Sequence, residues 1–151
     1  MRPIRFCCEE TLTLSPEEIA RQILDLSRWP DFRGYGPIPG INVAVIDTET
    51  PGIVGTTIRV TNLDRSSYIE EIVEWQPGSR IRLEMKEFSP PLSRLAHRFE
   101  ELWEFQRHDG QTRIIRSFQL HAKSSLAQII LWVISFFLKR AVIRHLREMR
   151  G

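Results

Sequence analysis

Two charged residues, Glu101 and Arg116, stand on stretches whose other same-face positions are apolar. Between them lies Asp109-Gly110, a strong two-residue hairpin signal. With that pair at the turn, Phe105 faces Ile114, Trp103 faces Arg116, Glu101 faces Phe118 and Phe99 faces Leu120. All eight share one face, because side chains alternate along a strand. Six are apolar, so this face must be covered. Glu101 and Arg116 become diagonal neighbours, ~7–8 Å apart at the backbone, a gap that long side chains close. Burying either charge alone is expensive, so the two are expected to pair. Three roles stand open: a structural bridge, a polar anchor in which Arg116 holds a ligand carboxylate or carbonyl, and acid chemistry by Glu101. A carboxylate beside an arginine stays ionised, which argues against the third.

The preceding hairpin, YIEEIVEWQPGSRIRLEM, extends the same wall. A three-residue Pro77-Gly78-Ser79 loop sets Trp75 opposite Ile81, Val73 opposite Leu83 and Glu71 opposite Met85, keeping apolar mainly with apolar. Glu71 then joins Glu10 and Glu101 as a carboxylate on an apolar face. Trp132 and Phe136, four apart on a helical stretch, share a face that either packs as core or lines a cavity. Two loops are candidate gates: Trp29 to Gly40, with Phe32 and Tyr35, and Ser89 to Leu95. The expected ligand wall is therefore Phe32, Tyr35, Trp75, Met85, Phe99, Glu101, Trp103, Arg116, Phe118, Trp132 and Phe136.

Recognisable catalytic machinery is missing. There is no Gly-rich phosphate loop, HExxH or GxSxG. His97, His108, His121 and His145 are scattered, and the adjacent Cys7 and Cys8 have no metal or disulfide spacing. No catalytic residue, metal or cofactor is expected. The free cysteines suit a reducing compartment, and MRPIRFCCEE is not a signal peptide, so a cytoplasmic location is the expectation.

These residues need elements to position them. Ile4 to Leu14 alternates as a strand with one buried face. Ser15-Pro16-Glu17-Glu18 opens a helix, with Ser15 as cap and Glu18 completing a capping box; Pro30 ends it near Ser27. A second short helix or turn is possible at Pro30 to Arg33. Strands follow at Ile41 to Glu49, Gly55 to Leu63, Ser67 to Gln76, Ser79 to Phe88, Ala96 to Arg107 and Gln111 to Lys123, with turn residues between. Short turns make this an antiparallel meander. Ser125 to Arg150 has no Gly or Pro and reads as one long helix, apolar on nearly every side from Ile129 to Leu138 and amphipathic from Lys139. A helix apolar all round should be covered on more than one side.

The 151 residues suit one domain, residues 1–151, and the net charge is +2. Lys123 to Gly151 carries six Lys/Arg against one Glu, about +5, which leaves about −3 elsewhere. Such a face is either solvated or meets an anionic membrane surface. No nucleic-acid motif accompanies it. The apolar run is short for a membrane span, which takes about 20 residues.

The order strand, helix pair, six strands, long helix resembles the START-like, Bet v 1-like superfamily (SRPBCC), in particular its polyketide cyclase/dehydrase and lipid-transport branch. The resemblance rests on TLTLSPEEIARQILDLSRWPDF, the YIEEIVEWQPGSRIRLEM and LWEFQRHDGQTRIIRSFQL hairpins and the last helix, and spans essentially the whole chain. It implies an α+β helix-grip fold: a curved antiparallel sheet of about seven strands wrapping the C-terminal helix, with a hydrophobic-ligand cavity between. Members carry lipids, sterols, quinones or plant hormones, and some cyclise or dehydrate polyketides. The expected function is binding or transport of a hydrophobic small molecule or lipid. A cyclase/dehydratase-type enzyme using Arg116, Glu101 or Tyr35 is the alternative, and a peripheral membrane lipid- or quinone-handling protein the second.

Overall fold

The computed structural model describes residues 1–150. Seven strands form one antiparallel sheet: β1 (Ile4–Leu12), β2 (Ile41–Thr48), β3 (Thr57–Asn62), β4 (Ser67–Gln76), β5 (Arg80–Lys86), β6 (Ala96–His108) and β7 (Gln111–Ala122). Their order is β1-β7-β6-β5-β4-β3-β2, so the first strand joins the end of the meander. Helix α1 (Pro16–Leu24) and a 3-10 segment (Leu26–Asp31) follow β1, and α2 (Ser125–Glu148) closes the chain. This is the helix-grip architecture expected from the sequence.

Local chemistry sets the boundaries. The Ser15 hydroxyl accepts from the Glu18 N–H at 3.1 Å, and Pro16 occupies the first helical turn. Helix α1 ends at Leu24, earlier than Pro30 alone would dictate, because Asp25 Oδ1 accepts from the Ser27 N–H and starts the 3-10 segment. Trp29 is tied back by its indole N–H, which donates to the Ile23 carbonyl at 2.9 Å. Ser124 caps α2 through the Ala127 N–H.

The Asp109-Gly110 turn yields the expected β6–β7 register: Phe105 pairs with Ile114, Trp103 with Arg116, Glu101 with Phe118 and Phe99 with Leu120. β1 continues these rows, pairing Cys8 with Arg116 and Phe6 with Phe118, whose rings stack at 5.0 Å.

The β4–β5 hairpin corrects the sequence reading. Trp75 pairs with Ile81 as expected, but a register shift between Ile72 and Glu74 pairs Ile72 with Leu83 and Glu70 with Met85. The extra residue turns everything before it to the other face. Glu70, not Glu71, faces inward; Glu71 binds Lys86 Nζ at 2.5 Å on the outer side.

The core lies between the concave sheet face and α2, where Leu131, Leu138, Val142 and Leu146 are buried. The expectation that the apolar half of α2 is covered on several sides fails. Leu126, Ile129, Ile130, Trp132, Val133 and Phe136 are 39–69 % exposed.

Candidate ligand cavity

A cavity of about 350 Å³ opens between the sheet and α2. It lies over the Tyr68–Glu70 end of β4, Leu83 and Met85 of β5, Phe99, Glu101 and Trp103 of β6, and Arg116 and Phe118 of β7. Helix α2 contributes Ile134, Leu138, Val142 and His145. The two loops marked as candidate gates both reach it, one through Trp29, Phe32 and Pro37 to Pro39, the other through Pro90, Pro91, Leu92 and Leu95. Gly34 makes the first loop possible. Its φ is +76°, and a Cβ there would meet the Ile38 carbonyl oxygen at 2.1 Å.

Seven of the eleven wall residues expected from the sequence line this space: Phe32, Met85, Phe99, Glu101, Trp103, Arg116 and Phe118. Four do not. Trp75 sits beyond the bulge, where β4 has left the cavity, and packs at the edge of the core. Trp132 and Phe136 lie on the outer face of α2, in edge-to-face contact at 4.8 Å, because Leu131, Ser135 and Leu138 take the inner face. Tyr35 packs against Phe137 in a tilted pair, ring centroids 6.4 Å apart, outside the cavity. Glu10 is drawn to the margin of the sheet by Arg147, whose Nε donates to it at 3.3 Å.

The polar end of the cavity is a connected group. Arg116 Nε donates to Glu101 Oε2, and both side chains are buried, 8 % and 2 % exposed. The guanidinium lies over the Trp103 ring, 4.2 Å from its centroid. Arg116 Nη1 contacts His145 Nδ1 at 3.0 Å. Arginine can only donate, so Nδ1 carries the lone pair and the proton sits on Nε2. Burial, and then the Arg116 charge, hold His145 down at about 3, so it is neutral at physiological pH.

Glu70 is the opposite case. Only 4 % of its surface is exposed, and no hydrogen bond to its carboxyl contributes among the described residues. Burial, and then the Glu101 carboxylate, push its pKa well above the ordinary range, with Arg116 opposing. Its protonated form, which can donate a hydrogen bond, is thereby favoured. The Trp103 indole N–H is buried with no acceptor among the described residues.

The sequence reading missed Glu70 and His145. The bulge that turned Glu70 inward left no sequence mark. His145 did leave one: it falls seven residues after Leu138 and three after Val142, on the inner face of the helix.

Residues 5–149 match the family described as polyketide cyclase/dehydrase and lipid transport. The chain belongs to that family. No curated protein matches it in sequence. Among solved structures it is similar to Ara h 8.0201, with 18 % identity, a TM-score of 0.67 and coverage of 93 % of this chain and 95 % of that one. It is also similar to TTHA0849 from Thermus thermophilus, with 15 % identity, a TM-score of 0.71 and coverage of 95 % and 92 %. The di-domain ARO/CYC StfQ of the steffimycin biosynthetic pathway shares 16 % identity at a TM-score of 0.71, over 97 % of this chain and 49 % of that one. Identities this low speak for the fold alone, which is that of the START-like, Bet v 1-like superfamily.

Proposed function

We propose that this family member binds an uncharged hydrophobic small molecule or lipid bearing an oxygen acceptor, and releases it unchanged. The polar end of the cavity carries this reading. Arg116 is already neutralised by Glu101, His145 is neutral, and burial beside Glu101 biases Glu70 toward its protonated form. A ligand carboxylate would meet a compensated guanidinium and two carboxyl groups, and would bring a charge that nothing balances. A ketone, quinone or hydroxyl oxygen would instead find donors: the Glu70 hydroxyl, the His145 Nε2–H and the Trp103 N–H. Of the two ligand groups considered for Arg116 from sequence, the carbonyl is favoured. The volume lies in the range of small-molecule pockets, and most of its lining is aromatic or aliphatic.

One observation favours cyclase or dehydratase chemistry as a second reading. A carboxyl whose protonated form is favoured by burial in an apolar cavity is a suitable proton donor to a carbonyl oxygen. The described residues that line the cavity offer one histidine as its counterpart, and His145 at about 3 is a weak base. Binding without conversion therefore ranks first.

A panel of a sterol, a quinone, an aromatic ketone and a fatty acid, followed by fluorescence and thermal shift, tests the proposal. Saturable binding of a neutral compound is expected, with its mass unchanged on recovery and the fatty acid bound at least about tenfold more weakly. Trp103 and Trp29 line the cavity and would report entry. Tighter binding of the fatty acid overturns the neutral-ligand reading. A product whose formation depends on Glu70, Glu101 or Arg116 replaces the carrier with an enzyme.

A further inference from the structure

The outer face of α2 has no role in the cavity and none in the core. Leu126, Ile129, Trp132, Val133 and Phe136 project from it into solvent, forming one apolar strip over about three helical turns. The strip ends in cations. Lys123 precedes it, and Lys139 and Arg140 follow, all exposed and without an ion-pair partner among the described residues. Arg144 and Arg147 continue the same face, paired with Glu148 and Glu10. From Gly110 to Arg147 the chain holds no Asp or Glu.

We infer that this face docks on an anionic lipid surface, with α2 lying parallel to it. An apolar strip with a tryptophan, flanked by uncompensated cations, matches the two layers of such a surface: acyl chains under the strip and anionic headgroups at its ends. A protein partner would need only the apolar half of this complementarity. The same helix is long and apolar enough to cross a membrane by length and composition. Its inner face, however, is gripped by the sheet through Leu131, Leu138 and Leu146, and His145 contacts Arg116. Spanning would dismantle the core, whereas lying on the surface leaves it intact.

The strip also adjoins the cavity mouth. Phe137, between the strip and the inner face, carries Tyr35 on its ring, and a Cβ at Gly36 would come within 3.0 Å of it. The next residues, Pro37 to Pro39, line the cavity, as does Ile134 of the helix itself. A bilayer under α2 therefore sits beside the entrance through which a hydrophobic ligand would pass. The docking stands on the helix face alone, whatever the cavity holds.

Co-sedimentation of the full chain with phosphatidylcholine vesicles, with and without phosphatidylglycerol, tests this. Binding to the phosphatidylglycerol vesicles is expected, weakened by salt, with a blue shift of emission that disappears in Trp132→Phe. The double variant Ile129→Glu/Phe136→Glu should weaken binding by about tenfold or more. Lys139→Glu/Arg140→Glu should remove the preference for the anionic vesicles, at roughly fivefold per residue. All four side chains point outward, so an unchanged melting temperature verifies the fold in each variant. Several results overturn the inference: no vesicle binding, or binding indifferent to Ile129→Glu/Phe136→Glu. So does a dimer in sedimentation velocity that the same substitutions dissolve, since the strip then meets a second copy. Resistance to alkaline extraction from membranes would mean a spanning helix instead.

Discussion

The Arg116 guanidinium is stacked 4.2 Å from the Trp103 ring centroid while its edge is occupied by Glu101 and His145. The two residues face each other across β6 and β7, so the stacking follows directly from the register of the last hairpin. The indole face supplies attraction that is strongest where water is excluded, about 2 kcal/mol or more for a desolvated cation. The hydrogen bonds fix the plane of the fork. Arg116 is thereby both a strut between strands and a fixed charge at the cavity wall.

Removing that charge should cost more than removing the pair. Arg116→Ala leaves Glu101 buried without its cation and is expected to destabilise by about 3–5 kcal/mol in urea melts. The double change Glu101→Leu/Arg116→Met keeps the volume and strands no charge, so it should be clearly more stable than the single variant. Equal stabilities of the two would contradict the buried-pair geometry.

A second buried polar contact joins the ends of β1 and β7. The Thr112 hydroxyl is buried and donates to the Leu14 carbonyl at 2.6 Å. Thr112→Val keeps the shape and orphans the carbonyl, so a loss of about 1–2 kcal/mol is expected at the midpoint of chemical denaturation. No loss would show that the carbonyl finds another donor.

Much of this was legible from the residues. The Asp109-Gly110 turn implies the β6–β7 register, and with it the Glu101–Arg116 pair and the placing of Trp103 opposite Arg116, because a two-residue turn leaves little freedom. The β4–β5 hairpin was not legible to the same depth. Its turn was read correctly, but one bulge at its middle reversed the faces of Glu70 and Glu71. The outer face of α2 misled for another reason. The residue types of Trp132 and Phe136 point inward because burial is the ordinary fate of large apolar side chains, yet the sheet covers only one side of the helix.

Filling the cavity should separate binding from folding. Met85 lines it from β5 and is not fully buried, so Met85→Trp can extend into open space rather than into packed core. Stability is expected to stay within about 1.5 kcal/mol, while affinity for any ligand of the native protein falls by about tenfold or more. Isothermal titration with the best compound of the panel reads the second number and a thermal melt the first. Unimpaired binding would place the ligand elsewhere.

The same cavity makes two opposed predictions about pH. His145 is held at about 3 against an ordinary 6.5, by burial and by Arg116. Its lowered value means that the unfolded chain takes up a proton before the folded one does. Stability is therefore full above pH 6.5 and is lost as pH falls toward 3, with a slope near 1.4 kcal/mol per pH unit at most. His145→Asn keeps an acceptor for Arg116 and cannot titrate, so it should flatten the acid limb. Glu70 acts in the other direction. Its folded value is raised above 4.5, so the folded chain keeps a proton that the unfolded one loses. That contribution is complete below pH 4.5 and is lost as pH rises toward the folded value. Glu70→Gln is uncharged at every pH and retains a donor. Relative to the parent it should gain stability as pH rises above 4.5 toward the folded value, read from melts across a buffer series. A Glu70→Gln difference independent of pH would mean that Glu70 ionises normally, and the neutral polar end on which the ligand class rests would be lost with it.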